Sequence, residues 1–163
     1  MNNSSNIPSI SVNYECNGVS TKINEMGMRP MQERAFAKRG EQYLLIKSPP
    51  ASGKSRALMF IALDKLENQE LKKAIIIVPE RSIGASFYNA ELIKYGFFSD
   101  WEVNPKWNLC DSPGTEGGKV NSVNLFLESD DSKLIITHAT FRFAVEKFGI
   151  SIFDNCLLAI DEF

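Results

Sequence analysis

The sequence predicts an α/β fold in which helices flank a mostly parallel sheet. Three observations carry this. Four short apolar runs, Tyr43-Leu44-Leu45-Ile46, Ala74 to Val78, Leu134-Ile135-Ile136 and Leu157 to Ile160, are continuous rather than alternating with polar residues. Runs of that kind suit strands buried on both faces, as in parallel sheets. Helical patterns lie between them, and alternating strands and helices imply layers of helix on sheet. Finally, the first run passes through a short turn ending in Gly53-Lys54-Ser55 directly into an apolar stretch free of Gly and Pro.

In chain order, residues 1–27 read as an N-terminal arm. Its first residues are rich in Asn and Ser, and Asn17-Gly18 allows a short hairpin or, equally, an irregular arm. From Arg29 to Lys38 the pattern is helical, with Pro30 suited to a first turn. Ser55 to Leu66 reads as the second helix. Ser82 to Tyr95 starts with an N-cap residue, stops at Gly96, and reads as a third. Residues 97–132, with Asp111-Ser112-Pro113-Gly114 and Glu116-Gly117-Gly118, read as an insertion or surface loop with room for one extra strand. Thr140 to Phe148 sets Phe141, Val145 and Phe148 on one helical face and ends at Gly149.

Bulk properties exclude several classes. A 44% hydrophobic and 23% charged chain of 163 residues can bury a core and suits one domain or part of one. The net charge of −2 does not announce nucleic acid, though a basic groove can sit on an acidic body. The longest apolar run, Leu58 to Leu63, is too short for a bilayer, and the N-terminus lacks the basic start and apolar stretch of a signal peptide. A cytoplasmic protein with no membrane partner is expected. Cys16, Cys110 and Cys156 have no CxxC spacing and no neighbouring His, and read as reduced thiols, two of them semi-buried, with no zinc pattern.

The segment Ser48-Pro49-Pro50-Ala51-Ser52-Gly53-Lys54-Ser55 has the strand-before, helix-after setting of a phosphate-binding loop. In such loops, backbone N–H groups and a helix N-terminus face the phosphates. Gly53 permits close approach, Lys54 reaches the β- and γ-phosphates, and the Ser55 hydroxyl is a ligand for Mg²⁺. Ser48 stands where the usual pattern has Gly. Downstream, Asp161-Glu162 follows the last apolar run, at the strand end where open α/β sheets bind ligands. Asp161 is the second candidate for Mg²⁺, and Glu162 the candidate base toward an attacking water. Lys54, Asp161 and Glu162 are therefore the catalytic candidates. Pro50, Ala51, Ser52, Gly53, Lys54 and Ser55 form the phosphate cradle.

With these two motifs the chain resembles superfamily two helicases from Met28 to Phe163, closest to the branch of restriction-enzyme translocation subunits and DEAD/DEAH-type motors. The resemblance implies a first RecA-like domain over 28–163 that uses ATP and Mg²⁺. Arg29-Pro30-Met31-Gln32 is similar to the family's Q-type motif, which makes Arg29 and Gln32 ATP-binding candidates. A Gln amide offers adenine one donor and one acceptor. Ile77 to Ser82 looks like the segment that touches nucleic-acid phosphates, through Arg81 and Ser82, and Ile136 to Thr140 looks like a later contact, through Thr137 and Thr140. The lone histidine, His138, reads as structural. Asp161-Glu162-Phe163 resembles the start of motif II, so the family's later motifs and its second RecA-like domain, with the arginines that reach the γ-phosphate, are expected partners lying outside these residues. Nucleic acid is the implied track, DNA favoured over RNA. The 163 residues alone are expected to hydrolyse ATP at a negligible rate. Two other readings stand beside the motor, a small-molecule kinase of the phosphate-loop type and an inert nucleotide-binding fragment.

Overall fold

The computed structural model describes residues 23–162. The Asn17-Gly18 hairpin and Cys16 lie outside the described residues.

Three of the four apolar runs form strands: β1 (Lys73–Val78), β2 (Lys133–Thr137) and β3 (Cys156–Ile160). Their order is β2-β1-β3 and both pairings are parallel, with Ile76 opposite Ile135 on one side and Ala159 on the other. Because side chains alternate across a strand, β1 feeds two cores. Ala74, Ile76 and Val78 pack with Ala57, Phe60 and Ile61 on one face. Ile75 and Ile77 pack with Val123, Phe126 and Ala144 on the other. The first face belongs to α1 (Pro30–Phe36) and α2 (Lys54–Asn68), the second to α3 (Glu116–Glu128) and α4 (His138–Phe148). The expected α/β layering holds. Among the described residues no helix is long and apolar enough to cross a membrane.

The first run departs from expectation. Tyr43 to Ile46 forms no strand, and Tyr43 and Leu45 are 86% and 69% exposed. A cleft of about 340 Å³, lined by Leu44, Leu45, Ile46, Leu157 and Ala159, separates this segment from β3. A strand needs a neighbour at about 4.8 Å to bond its backbone, and β3 lies across the cleft instead. Apolar composition alone does not supply that neighbour.

Two further expectations fail for tertiary reasons. Ser82 to Tyr95 is not one helix but two 3-10 turns, Arg81–Phe87 and Ile93–Tyr95. Between them Ala90 exchanges backbone hydrogen bonds with Trp101. The fully buried Trp101 indole donates to the Phe87 carbonyl (2.9 Å), which fixes the interruption. Within 97–132, the Gly117-Gly118 stretch opens α3 rather than a loop. Thr115 caps it by accepting from the Gly118 N–H, and Val120, Val123 and Phe126 bury its inner face. Each Gly lowers helix propensity by about 1 kcal/mol, and burial of that face offsets the cost.

Phe126 is fully buried and meets the Trp107 ring edge-on at 5.4 Å. Phe126→Ala is expected to cost about 3–5 kcal/mol of stability, the range for deleting a buried aromatic, read from urea denaturation midpoints.

Candidate nucleotide site

The turn before α2 is shaped by its backbone. Ala51 and Gly53 both have positive φ, 58° and 90°. The Ser48 and Ser52 hydroxyls bond to each other at 2.7 Å, tying the two ends of the loop, so the serine in the usual glycine position has a local function. Lys54, the first residue of α2, arches back so that its ammonium donates to the Ser48 carbonyl at 3.4 Å. At Gly53 a side chain is excluded twice. Its φ disfavours L residues, and a Cβ would lie 2.5 Å from the Gln32 amide nitrogen.

Gln32 links the first helix to this loop. It is buried, its amide oxygen accepts from the Arg29 N–H (2.8 Å) and its nitrogen donates to the Gly53 carbonyl (3.1 Å). One lone pair and one N–H of the amide are left over for a ligand. The Arg29 guanidinium sits about 4.0 Å from where a Gly53 Cβ would be.

Asp161 extends the sheet edge, its N–H donating to the Ile77 carbonyl at 2.8 Å. Its carboxyl is held above the usual carboxylate range by burial first and by Glu162 second, while Lys54 and His138 pull the other way. Glu162 is exposed, with positive φ (54°). A cavity of about 690 Å³ brings the pieces together: Arg29, Gln32, Pro50, Ala51, Gly53, Lys54, Ser55, Asp161 and Glu162 all line it. Ser52 is not in the lining; its hydroxyl is turned to Ser48. For a hard cation the donors fit. A hydroxyl and one or two carboxylates, completed by substrate phosphates and water, suit Mg²⁺.

The four residues expected on nucleic acid sit at the same end of the sheet but do not line this cavity. Val78 and Thr137 are register partners at the ends of β1 and β2, and Arg81 and Ser82 open the 3-10 turn that follows β1 after Pro79 and Glu80. Arg81 is exposed and donates through Nε to the Cys110 carbonyl (2.6 Å), and Ser82 is exposed and donates to Glu80 (3.0 Å). The two threonines face inward. Thr137 caps α4 by accepting from the Thr140 N–H (3.2 Å), and Thr140, 1% exposed, donates to Glu116 (3.0 Å).

His138 is structural, as expected, whereas two residues that line the cavity escaped notice in the sequence. His138 Nε2 hydrogen bonds the Asp161 backbone carbonyl at 2.9 Å, joining the end of β2 to the end of β3 across β1. Arg56 and Tyr95 also line the cavity; the first follows Ser55 directly, whereas nothing local marks the second. Of the expected thiols, Cys110 is buried, with its pKa pushed up to about 11 by burial, and Cys156 is half-buried.

Parallel strands with helices on both faces, a glycine-bearing loop leading into a helix, and acidic residues at a neighbouring strand end define a RecA-like phosphate-loop fold. Over 154 residues this chain is 62% identical to the Bacillus subtilis (strain 168) protein named "Putative ATP-dependent helicase YeeB". The match takes in 94% of this chain and 25% of the relative, so the chain spans about a quarter of that protein's length. No family model and no solved structure matches the chain.

Burial of an ionised Asp161 beside Glu162 destabilises the fold. A carboxyl whose folded pKa is raised favours the folded state below its unfolded pKa and loses that contribution as pH rises through the folded value. Asp161→Asn is therefore expected to raise the thermal midpoint at neutral pH, with the gain shrinking toward zero in acid where wild-type Asp161 is already protonated. Paired melts of the two proteins at both pH values check this.

Proposed function

We propose that this chain is the ATP-binding part of a nucleic-acid helicase or translocase of superfamily two, of the DEAD/DEAH and restriction-subunit kind, with ATP hydrolysis driving movement on DNA or, less favoured, RNA. The single observation that carries this reading is the convergence of Arg29-Gln32, the phosphate loop and Asp161-Glu162 on one cavity. The 62% identity to a helicase-named relative supports the motor over a small-molecule kinase.

In this reading the loop backbone and the α2 N-terminus receive the phosphates. The Lys54 ammonium exchanges the Ser48 carbonyl for β- and γ-phosphate oxygens. Ser55 and Asp161 would hold Mg²⁺, and the ion would supply charge neutralisation at the phosphates. Glu162 accepts a proton from the attacking water. Gln32 offers adenine its free donor and acceptor while holding Gly53 in place. Arg81 and Ser82 contact the phosphates of the track, with Thr137 and Thr140 shaping the strand-end backbone beside them. The arginine that completes the charge around the γ-phosphate comes from a second RecA-like domain. The protein works in the cytoplasm.

Lys54→Ala is expected to weaken Mg-ATP binding to the 163-residue chain by about ten- to a hundred-fold, the worth of one charged hydrogen-bond partner. Calorimetric titration measures it, and unchanged affinity would remove Lys54 from the site. Binding of a single-stranded oligonucleotide is expected to weaken steeply between low and moderate salt and to be largely independent of sequence. Arg81→Ala should lower both the affinity and the salt slope, and a salt-independent affinity would count against this path.

A further inference from the structure

The geometry points to Tyr95 as the platform on which the base of the bound nucleotide stacks, a specificity and affinity element supplied from outside the phosphate loop and the Arg29-Gln32 segment. The inference rests on the nucleotide-site reading above and deepens it.

The ring borders the cavity assigned above to the nucleotide. Tyr95 lines the same 690 Å³ cavity as Lys54, Gly53, Arg29 and Gln32. It is 45% exposed, although a ring of this size and hydrophobicity is more stable when covered. The Arg56 guanidinium stands 5.9 Å from its centroid, so a cation and an aromatic face together border this side of the cavity.

The backbone that carries the ring is held by two independent anchors. On its own side, the 3-10 turn Ile93–Tyr95 is fixed by Asp100, whose Oδ1 accepts from the Leu92 and Ile93 N–H groups at 2.6 and 2.8 Å. Leu92 itself is buried. Gly96 closes the turn in the left-handed region, and a Cβ there would strike the Glu25 carbonyl. On the facing side, Asn24 organises a tight turn, its Oδ1 accepting from the Met26 and Met28 N–H groups at 3.0 and 2.9 Å. Gly27 of that turn presses on Tyr95 so closely that a Cβ would come within 2.6 Å of the Tyr95 Cβ. Fully buried Met28 ties the turn to the core, and Arg29 and Gln32 follow immediately. Two glycines, each with positive φ, thus bring residues 24–28 and 95–96 together without intervening side chains.

An aromatic ring that is exposed yet mounted on ordered backbone loses little further entropy when a flat ligand covers it. The polar groups of Arg29 and Gln32 can read the edge of a planar base, and the Tyr95 ring can cover its face. Stacking tolerates any base, because every base has a π-face. The labour is therefore divided: Tyr95 adds affinity for the base whatever its identity, and Gln32 discriminates among bases.

The test uses the 163-residue chain with three probes in the presence of Mg²⁺: ATP, GTP and inorganic tripolyphosphate, titrated by calorimetry. Tyr95→Ala should weaken ATP and GTP by a similar factor, about ten-fold, and leave tripolyphosphate affinity unchanged. Tyr95→Phe should keep wild-type affinity for all three. Unchanged ATP affinity in Tyr95→Ala overturns the proposal, as does equal loss of nucleotide and tripolyphosphate, which would mean that Tyr95 only supports the loop. A wild-type chain that binds tripolyphosphate but gains nothing from the base also overturns it while leaving the phosphate loop standing. A chain that binds none of the probes overturns the nucleotide-site reading itself, and this inference with it.

Discussion

The structure depends on burying β1 along both faces and pairing it along both edges. Ala74 to Val78 are each at most 1% exposed. A strand so enclosed has to spend every backbone group on neighbouring strands, and β2 and β3 supply them in parallel. Parallel neighbours require crossovers, and the crossovers carry α3 and α4. The C-terminal ends of all three strands therefore point one way. Val78, Thr137 and Ile160 finish at one edge of the sheet, and the residues that follow them, Arg81-Ser82, His138 and Asp161-Glu162, are gathered there.

Against that edge, the loop that leads into α2 owes its form to contacts made from elsewhere in the chain. Gly53 keeps its left-handed conformation in contact with the Gln32 amide, which is itself positioned by the Arg29 N–H. The first helix and the loop are thus one mechanical unit, and a base contact at Gln32 would be felt directly at Gly53. The hydroxyl pair Ser48–Ser52 shows how the loop accommodates a serine at its first position, by a side-chain bond across the turn. His138 completes the arrangement by bonding the Asp161 carbonyl, which ties the strand-end threonine segment to the acidic pair.

Helices were legible in the sequence where pattern and boundary agreed. The stretch from Ser55 to Leu66 lies within α2, and Gly149 ends α4 as expected. Illegible elements were those in which a distant partner overruled the local signal. Gly117 and Gly118 announced a turn, yet Val120, Val123 and Phe126 pull them into a helix against the sheet. The helical pattern from Ser82 onward gave way to the Trp101 indole, which claims the Phe87 carbonyl. The site divides in the same way. The loop residues 48–55 and the pair Asp161-Glu162 are each a continuous stretch of sequence, so each could be picked out as a candidate from residue types alone. Tyr95, at the end of an unremarkable Ile-Lys-Tyr stretch, has no local mark at all.

By itself the sequence determined the class of fold, the three strands that were formed and the placing of two carboxylates after the last of them, because each depends on residue types within a short window. Only the tertiary structure decided that Tyr43 to Ile46 would stay unpaired, since pairing needs a neighbouring strand at bonding distance and a cleft lies there instead. Only the tertiary structure turned Thr137 and Thr140 inward to cap a helix and meet Glu116, because a hydroxyl's orientation follows from which donors and acceptors packing brings within reach. And it alone set Tyr95 against the turn at residues 24–28 and so into the cavity: two glycine-mediated contacts do that, and close approach of two backbones is a property of three-dimensional packing that no local pattern records.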